Sequence, residues 1–166
     1  MKTLKLAFLG DVMLGRLVNK YIDANGYKYP LGNTVNILKN ADLVIANLEC
    51  CIAENGFPWN KTPKAFFFRA DPLAINTLKH ANISYVSLAN NHTLDFQEPA
   101  LLETLERLDK ANIKYAGAGK NLEEAEKFVL ITKNNYKIAI LSYADHPHEF
   151  RASANSLGIN FINPLK

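Results

Sequence analysis

The sequence predicts one α/β domain, and three observations lead there. Apolar runs of strand length alternate with amphipathic stretches along the chain, the pattern of a sheet layered with helices on both faces. The residues able to do chemistry sit just after the apolar runs, where open α/β sheets gather their ligands. The 166 residues fit a single domain of ordinary size and can bury a core without disulfide staples. At 48% hydrophobic and 21% charged, the composition excludes disordered, collagen-like and coiled-coil classes.

Residues 4–9, 43–46 and 83–88 are continuous apolar segments, so three central strands covered on both sides are expected there. Between the first two, residues 14–24 suit a helix ended by Gly26, and residues 33–40 a short second helix. Residues 53–64 carry Gly56, Pro58 and Pro63 and read as a long surface loop before the short run 66–69. Pro72 starts a helix to about His80. Pro99 opens the clearest helix, with Leu101, Leu105 and Leu108 on one face and the pairs Glu103/Arg107 and Glu106/Lys110 on the wet side. Residues 128–131 and 138–141 flank Asn134-Asn135, a turn dipeptide that accepts positive φ, and predict a hairpin.

The net charge of +3 is scattered, so nucleic acid is not an expected partner. Cys50 and Cys51 are adjacent and are the only thiols, which excludes a disulfide framework and suits a structural, buried role. No apolar run reaches the roughly 20 residues needed to cross a bilayer. The N-terminal run enters Gly10-Asp11 as a strand would, not as a signal peptide, and a cytoplasmic location is the expectation.

The first central strand exits into Gly10-Asp11-Val12-Met13-Leu14-Gly15-Arg16. The second exits into Asn47-Leu48-Glu49, and the third into Asn90-Asn91-His92-Thr93-Leu94-Asp95. Asp11, Glu49 and Asp95, with amide oxygens and one imidazole, are ligands for a divalent Mg, Mn, Zn or Fe ion, and a cation relieves their mutual repulsion. Each has a plainer role: helix caps for Asp11 and Asp95, turn formers for Asn47, Asn90 and Asn91, a solvated loop for Glu49, a satisfied hydrogen-bonding ring for His92. Recurrence at three strand ends favours the site. Gly117-Ala118-Gly119-Lys120-Asn121 is not a phosphate loop, because the required first glycine falls on Lys114 and Asn121 replaces Ser/Thr; the dinucleotide fingerprint fails at Leu122. No G-x-S-x-G elbow is present.

These strand-exit segments, together with Phe68-Arg69-Ala70-Asp71-Pro72, Gly117-Ala118-Gly119-Lys120-Asn121 and the later Asp145-His146-Pro147, resemble the CapA family, named for poly-γ-glutamate capsule synthesis. The resemblance spans nearly the whole chain and implies a calcineurin-like metallophosphoesterase fold. It implies that Asp11, Glu49 and Asn91 hold the metal, that His92 serves as acid or charge stabiliser beside a phosphate, and that Asp95 orients His92 or a metal-bound water. It places Arg16, Asn90 and His146 on the side of an anionic small-molecule or polymer substrate, although a helix-surface arginine is the plainer role for Arg16.

The sequence departs from the family at several points. The phosphoesterase Asp-x-His is Asp11-Val12-Met13 here, Gln97 stands where glycine is favoured, and the Gly-His-His-Pro-His type segment of the second half has no counterpart before Lys166. Residues 1–166 are therefore expected to form one domain lacking the family's C-terminal half, to bind at most one metal, and to offer an open sheet edge for self-association. Metal-dependent phosphoester hydrolysis is the activity implied. The alternatives are a non-catalytic subunit that binds an anionic polymer or partner and a fragment with no competent site.

Overall fold

Four parallel strands organise the chain. The computed structural model describes residues 3–165. The elements follow as β1 (Leu6–Val12), α1 (Arg16–Asn25), α2 (Thr34–Leu38), β2 (Leu43–Leu48), β3 (Cys51–Ile52), β4 (Arg69–Ala70), α3 (Ile75–His80) and β5 (Ile83–Ser87). After them come α4 (Gln97–Lys110), β6 (Lys114–Ala116), β7 (Ala118–Gly119), α5 (Leu122–Glu126), β8 (Val129–Lys133), β9 (Tyr136–Ile140) and β10 (Gly158–Ile159). The central sheet runs β1-β2-β5-β6, every pair parallel, an α/β arrangement consistent with a metallophosphoesterase-like fold. No helix among the described residues is long and apolar enough to cross a membrane.

One face of the sheet meets the helices. Val44, Ala46, Leu48 and Val86 share a single core with Ile22 of α1, Leu78 of α3, and Leu101, Leu105 and Leu108 of α4. Each such side chain contributes about 1.5–3 kcal/mol on burial, which is why the α4 stripe fixes how that helix sits. The other face, bearing Ile45 and Tyr85, is tied at two points to the segment that forms the β8–β9 hairpin and its exit. Tyr85 Oη lies 2.6 Å from Ser142 Oγ just beyond β9, and Asn134 at the hairpin tip donates to Asp42 Oδ1 at 2.8 Å. Asn134 and Asn135 hold φ of 49° and 69°, the left-handed pair that a two-residue hairpin turn requires.

Three expectations are corrected. The first strand is not covered on both sides: β1 is an edge strand, and Phe8 is 71% exposed. Which strand lies at the edge is information that the apolar run alone does not hold. A fourth central strand, β6, went unread because it is three residues long and begins on a lysine. The glycine after it is a kink between β6 and β7, where φ is +90° and an added Cβ would stand 2.6 Å from Ala89 Cβ. Finally, α4 starts at Gln97, so Pro99 lies within its first turn. Gln97 holds φ of +63°, the conformation in which glycine is favoured, and its side-chain amide donates to the carbonyls of Phe57 and Pro58 at 3.2 and 3.0 Å.

Candidate functional site

At the carboxyl end of β1 the register with β2 slips between Phe8 and Asp11, with Gly10 at φ +66° in the bulge. A bulge re-aims the side chain that follows it. Asp11 stands opposite Asn47 in the ladder, and Asn47 Nδ2 donates to Asp11 Oδ1 at 2.9 Å and to Glu49 Oε1 at 3.2 Å. Two carboxylates from adjacent strand ends thus meet on one neutral amide, leaving net negative potential at that point. Among the described residues, no group of three or more His, Cys, Asp or Glu side chains comes together. Asp11 and Glu49 are the two carboxylates here that could hold a divalent ion, and oxygen donors of this kind suit a hard cation.

The turn after β5 is built around Asn90. Its Nδ2 donates to Asn47 Oδ1 at 3.0 Å and to the Leu48 carbonyl at 2.9 Å, while its Oδ1 accepts from His92 N and Thr93 Oγ1. Asn90 is buried with both side-chain polar atoms engaged, so it holds the turn. Asn91 follows, half-buried, with its carbonyl accepting from Lys64 Nζ at 2.7 Å.

His92 is bound by its Nδ1 to Asp95 Oδ2 at 2.7 Å and stacks on Phe68, ring centroids 4.0 Å apart. Asp95 is fully buried, and its Oδ2 also accepts from Phe68 N at 2.7 Å. A carboxylate can only accept, so His92 donates from Nδ1 and keeps Nε2 for other chemistry. Asp95 thus holds the His92 ring through Oδ2 and does not cap α4, whose N-cap is Phe96. Arg16, exposed and at φ +53°, lays its guanidinium 5.7 and 5.9 Å from the Phe66 and Phe68 ring centres. That lines up Arg16, Phe68 and His92. His146 is exposed and pairs with Asp145 at 2.7 Å; among the described residues no hydrogen bond or ring contact ties it to His92 or to the carboxylate pair.

Both cysteines are buried, and burial pushes each thiol up to about 12. Cys50 Sγ accepts from Leu14 N, and Cys51 Sγ donates to the Thr93 carbonyl, the structural role read from sequence. Sequence reasoning missed Trp59 and Lys64, and read Phe68 only as part of a family-like segment without a role at the site. Trp59 is buried in the long loop, its N–H donates to the Asp95 carbonyl at 2.8 Å, and its ring meets Phe150 edge-on at 4.7 Å. Large apolar residues inside a Pro/Gly loop were the available signal, since such a loop must fold back on the body to bury them.

Residues 5–161 match the bacterial capsule synthesis protein family PGA_cap. The chain belongs to that family. Among PGA_cap relatives, it is 28% identical over 143 residues to the "Capsule biosynthesis protein CapA" of Bacillus anthracis, covering 86% of this chain and 35% of that protein. It is 28% identical over 163 residues to the "PGA biosynthesis protein CapA" of Bacillus subtilis (strain 168), covering 97% of this chain and 43% of that one. A "Probable polyglutamine synthesis accessory protein" of Mycobacterium tuberculosis is also 28% identical, with 80% of this chain and 43% of the relative covered. The chain therefore spans less than half the length of these PGA_cap relatives.

Proposed function

We propose that this chain carries a metal-dependent phosphoesterase-type site serving capsule or poly-γ-glutamate synthesis. The convergence of Asp11 and Glu49 on Asn47, beside a histidine oriented by a buried aspartate, carries the reading. The names of its relatives supply the biological setting.

Asp11, Glu49 and the Asn91 amide oxygen would hold one divalent ion. Bound there, that ion lends Lewis acidity and neutralises charge on phosphoryl oxygens. The rest falls to the chain's own groups. Asp95 keeps the His92 ring turned so that Nε2 can hand a proton to a departing oxygen, a contribution of about 10²–10⁴ in rate. Phe68 walls one face of that ring from water. Arg16 offers a planar fork to an anionic substrate.

The test pairs calorimetry with turnover. Mn²⁺ should bind the chain and raise its melting temperature by mass action, and Asp11→Ala with Glu49→Ala should abolish both effects. His92→Ala should reduce hydrolysis of bis(p-nitrophenyl) phosphate about 100-fold while Mn²⁺ affinity is kept. Unchanged Mn²⁺ affinity in the double variant defeats the assignment. A second reading, a non-hydrolytic subunit that holds an anionic polymer, is favoured by the small number of ligand side chains brought together. Polyglutamate binding without any Mn²⁺-dependent turnover would select it.

A further inference from the structure

Lys64 joins both ends of the turn that carries His92. Its Nζ donates to the Asn91 carbonyl at 2.7 Å and lies 3.1 Å from Asp95 Oδ1. The Lys64 side chain is only 15% exposed and that of Asp95 is 0% exposed, so neither is placed to touch a substrate. Asp95 Oδ1 accepts no hydrogen bond of good geometry, and Lys64 meets it as a charge. A carboxylate taken fully out of water is costly unless a counter-charge stands close.

Among the described residues no other lysine or arginine pairs with Asp95. Arg69 stacks on Phe96 at 4.4 Å and donates to the Glu54 and Gly56 carbonyls, and Arg16 stacks on Phe66 and Phe68. Lys64 itself is held over the Phe150 ring at 5.6 Å, a contact that favours a cation. Its sequence neighbours belong to the loop whose Trp59 and Phe68 amides donate to the backbone and side chain of Asp95.

We propose that Lys64 is a positioning residue of the candidate site. Its ammonium fixes the spacing between Asn91 and Asp95, so that the His92 ring is held in register with the Asn91 side chain that would hold the ion. This rests on the phosphoesterase reading above for its chemistry, but the placement of His92 by Lys64 can be measured without metal or substrate.

The experiment is chemical rescue of Lys64→Ala. The kcat for Mn²⁺-dependent cleavage of bis(p-nitrophenyl) phosphate should fall about tenfold or more, with KM within about twofold, because orientation and not binding is lost. Propylammonium, which fits the vacated stem, should restore it; tetramethylammonium, which has no N–H to donate, should not. In the metal-free protein the His92 Nδ1 proton, bonded to Asp95 over 2.7 Å, should give a downfield proton resonance. That resonance should be lost in Lys64→Ala and return with propylammonium.

An unchanged kcat and resonance in Lys64→Ala overturn the proposal, as does equal rescue by tetramethylammonium. If Lys64→Ala does not fold, Lys64→Gln keeps an N–H donor without the charge, and wild-type behaviour in that variant overturns it equally. A wild-type chain with no Mn²⁺-dependent turnover defeats the phosphoesterase reading instead. The resonance then decides Lys64 alone, its loss and rescue supporting the placement and its persistence ending it.

Discussion

Asp95 and Glu103 hold opposite ends of one loop, residues 53–68, in different surroundings. Glu103 reaches from α4 near the surface and accepts from Glu54 N, Asn55 N and Nδ2, and Arg107 Nε at distances of 3.0 to 3.2 Å. Asp95 holds the far end from inside the protein, through Phe68 N and, by its carbonyl, Trp59 N. Both carboxylates satisfy loop amides that would otherwise be orphaned. The difference lies in what each needs in return: near the surface water and Arg107 share the charge, whereas the buried group depends on Lys64. Anchoring a loop is cheap at the rim and demanding in the interior, and the interior anchor is the one tied to His92.

Removing the inner anchor should have the largest effect. Asp95→Ala strands Lys64 and frees His92, and about 3–5 kcal/mol of unfolding free energy should disappear in urea titration, with hydrolysis lost as well. A cost below about 1 kcal/mol would mean that the buried pair contributes little to the fold.

The outer anchor should matter less and should depend on pH. Burial works to raise the Glu103 carboxyl, but hydrogen bonds from Arg107 and from Asn55 and Glu54 outweigh it and hold it down at about 2. A folded value below the unfolded carboxylate value of about 4.3 stabilises the protein above that pH, and the stabilisation is lost as pH falls towards about 2. Glu103→Gln should cost about 1–2 kcal/mol near neutrality, and the gap from wild type should close over this acid range. A gap that stays constant down to about pH 2.5 removes the charge from the explanation.

Gln97 gives the smallest effect and compares two ways of losing the same side chain. Gln97→Gly drops its bonds to the Phe57 and Pro58 carbonyls but relieves the left-handed backbone; Gln97→Ala drops the bonds and keeps the strain. The alanine variant should melt lower than the glycine variant, by about 0.5–1 kcal/mol. The reverse order would show that the strain is negligible.

The sequence revealed most where one residue type has one strong physical preference. The α4 stripe of Leu101, Leu105 and Leu108 and the Asn134-Asn135 turn were legible because periodicity and positive φ are local properties. The grouping of Asp11, Asn47, Glu49, Asn90, His92 and Asp95 at neighbouring strand ends followed from the parallel order, which the apolar runs implied. Other features depend on which strand lies beside which, information that local patterns do not hold. Phe8 looks like a core residue in its run yet sits on an edge. Lys64 looks like a solvated loop lysine until the loop folds back 27 positions short of Asn91 and brings them together.

Trp59 is the only tryptophan in the sequence. It is buried, its backbone N–H is bonded to Asp95, its indole N–H to Thr62 at 2.8 Å, and the Lys61 ammonium stands 5.1 Å over its ring. The protein thus carries a single built-in fluorophore at the junction between its long loop and the residues that orient His92. Excitation at the red edge of indole absorption, beyond that of the seven tyrosines, reads that junction without a label and without competition from a second indole. Its emission should move to longer wavelength when the junction admits water, even while the sheet behind it stays folded.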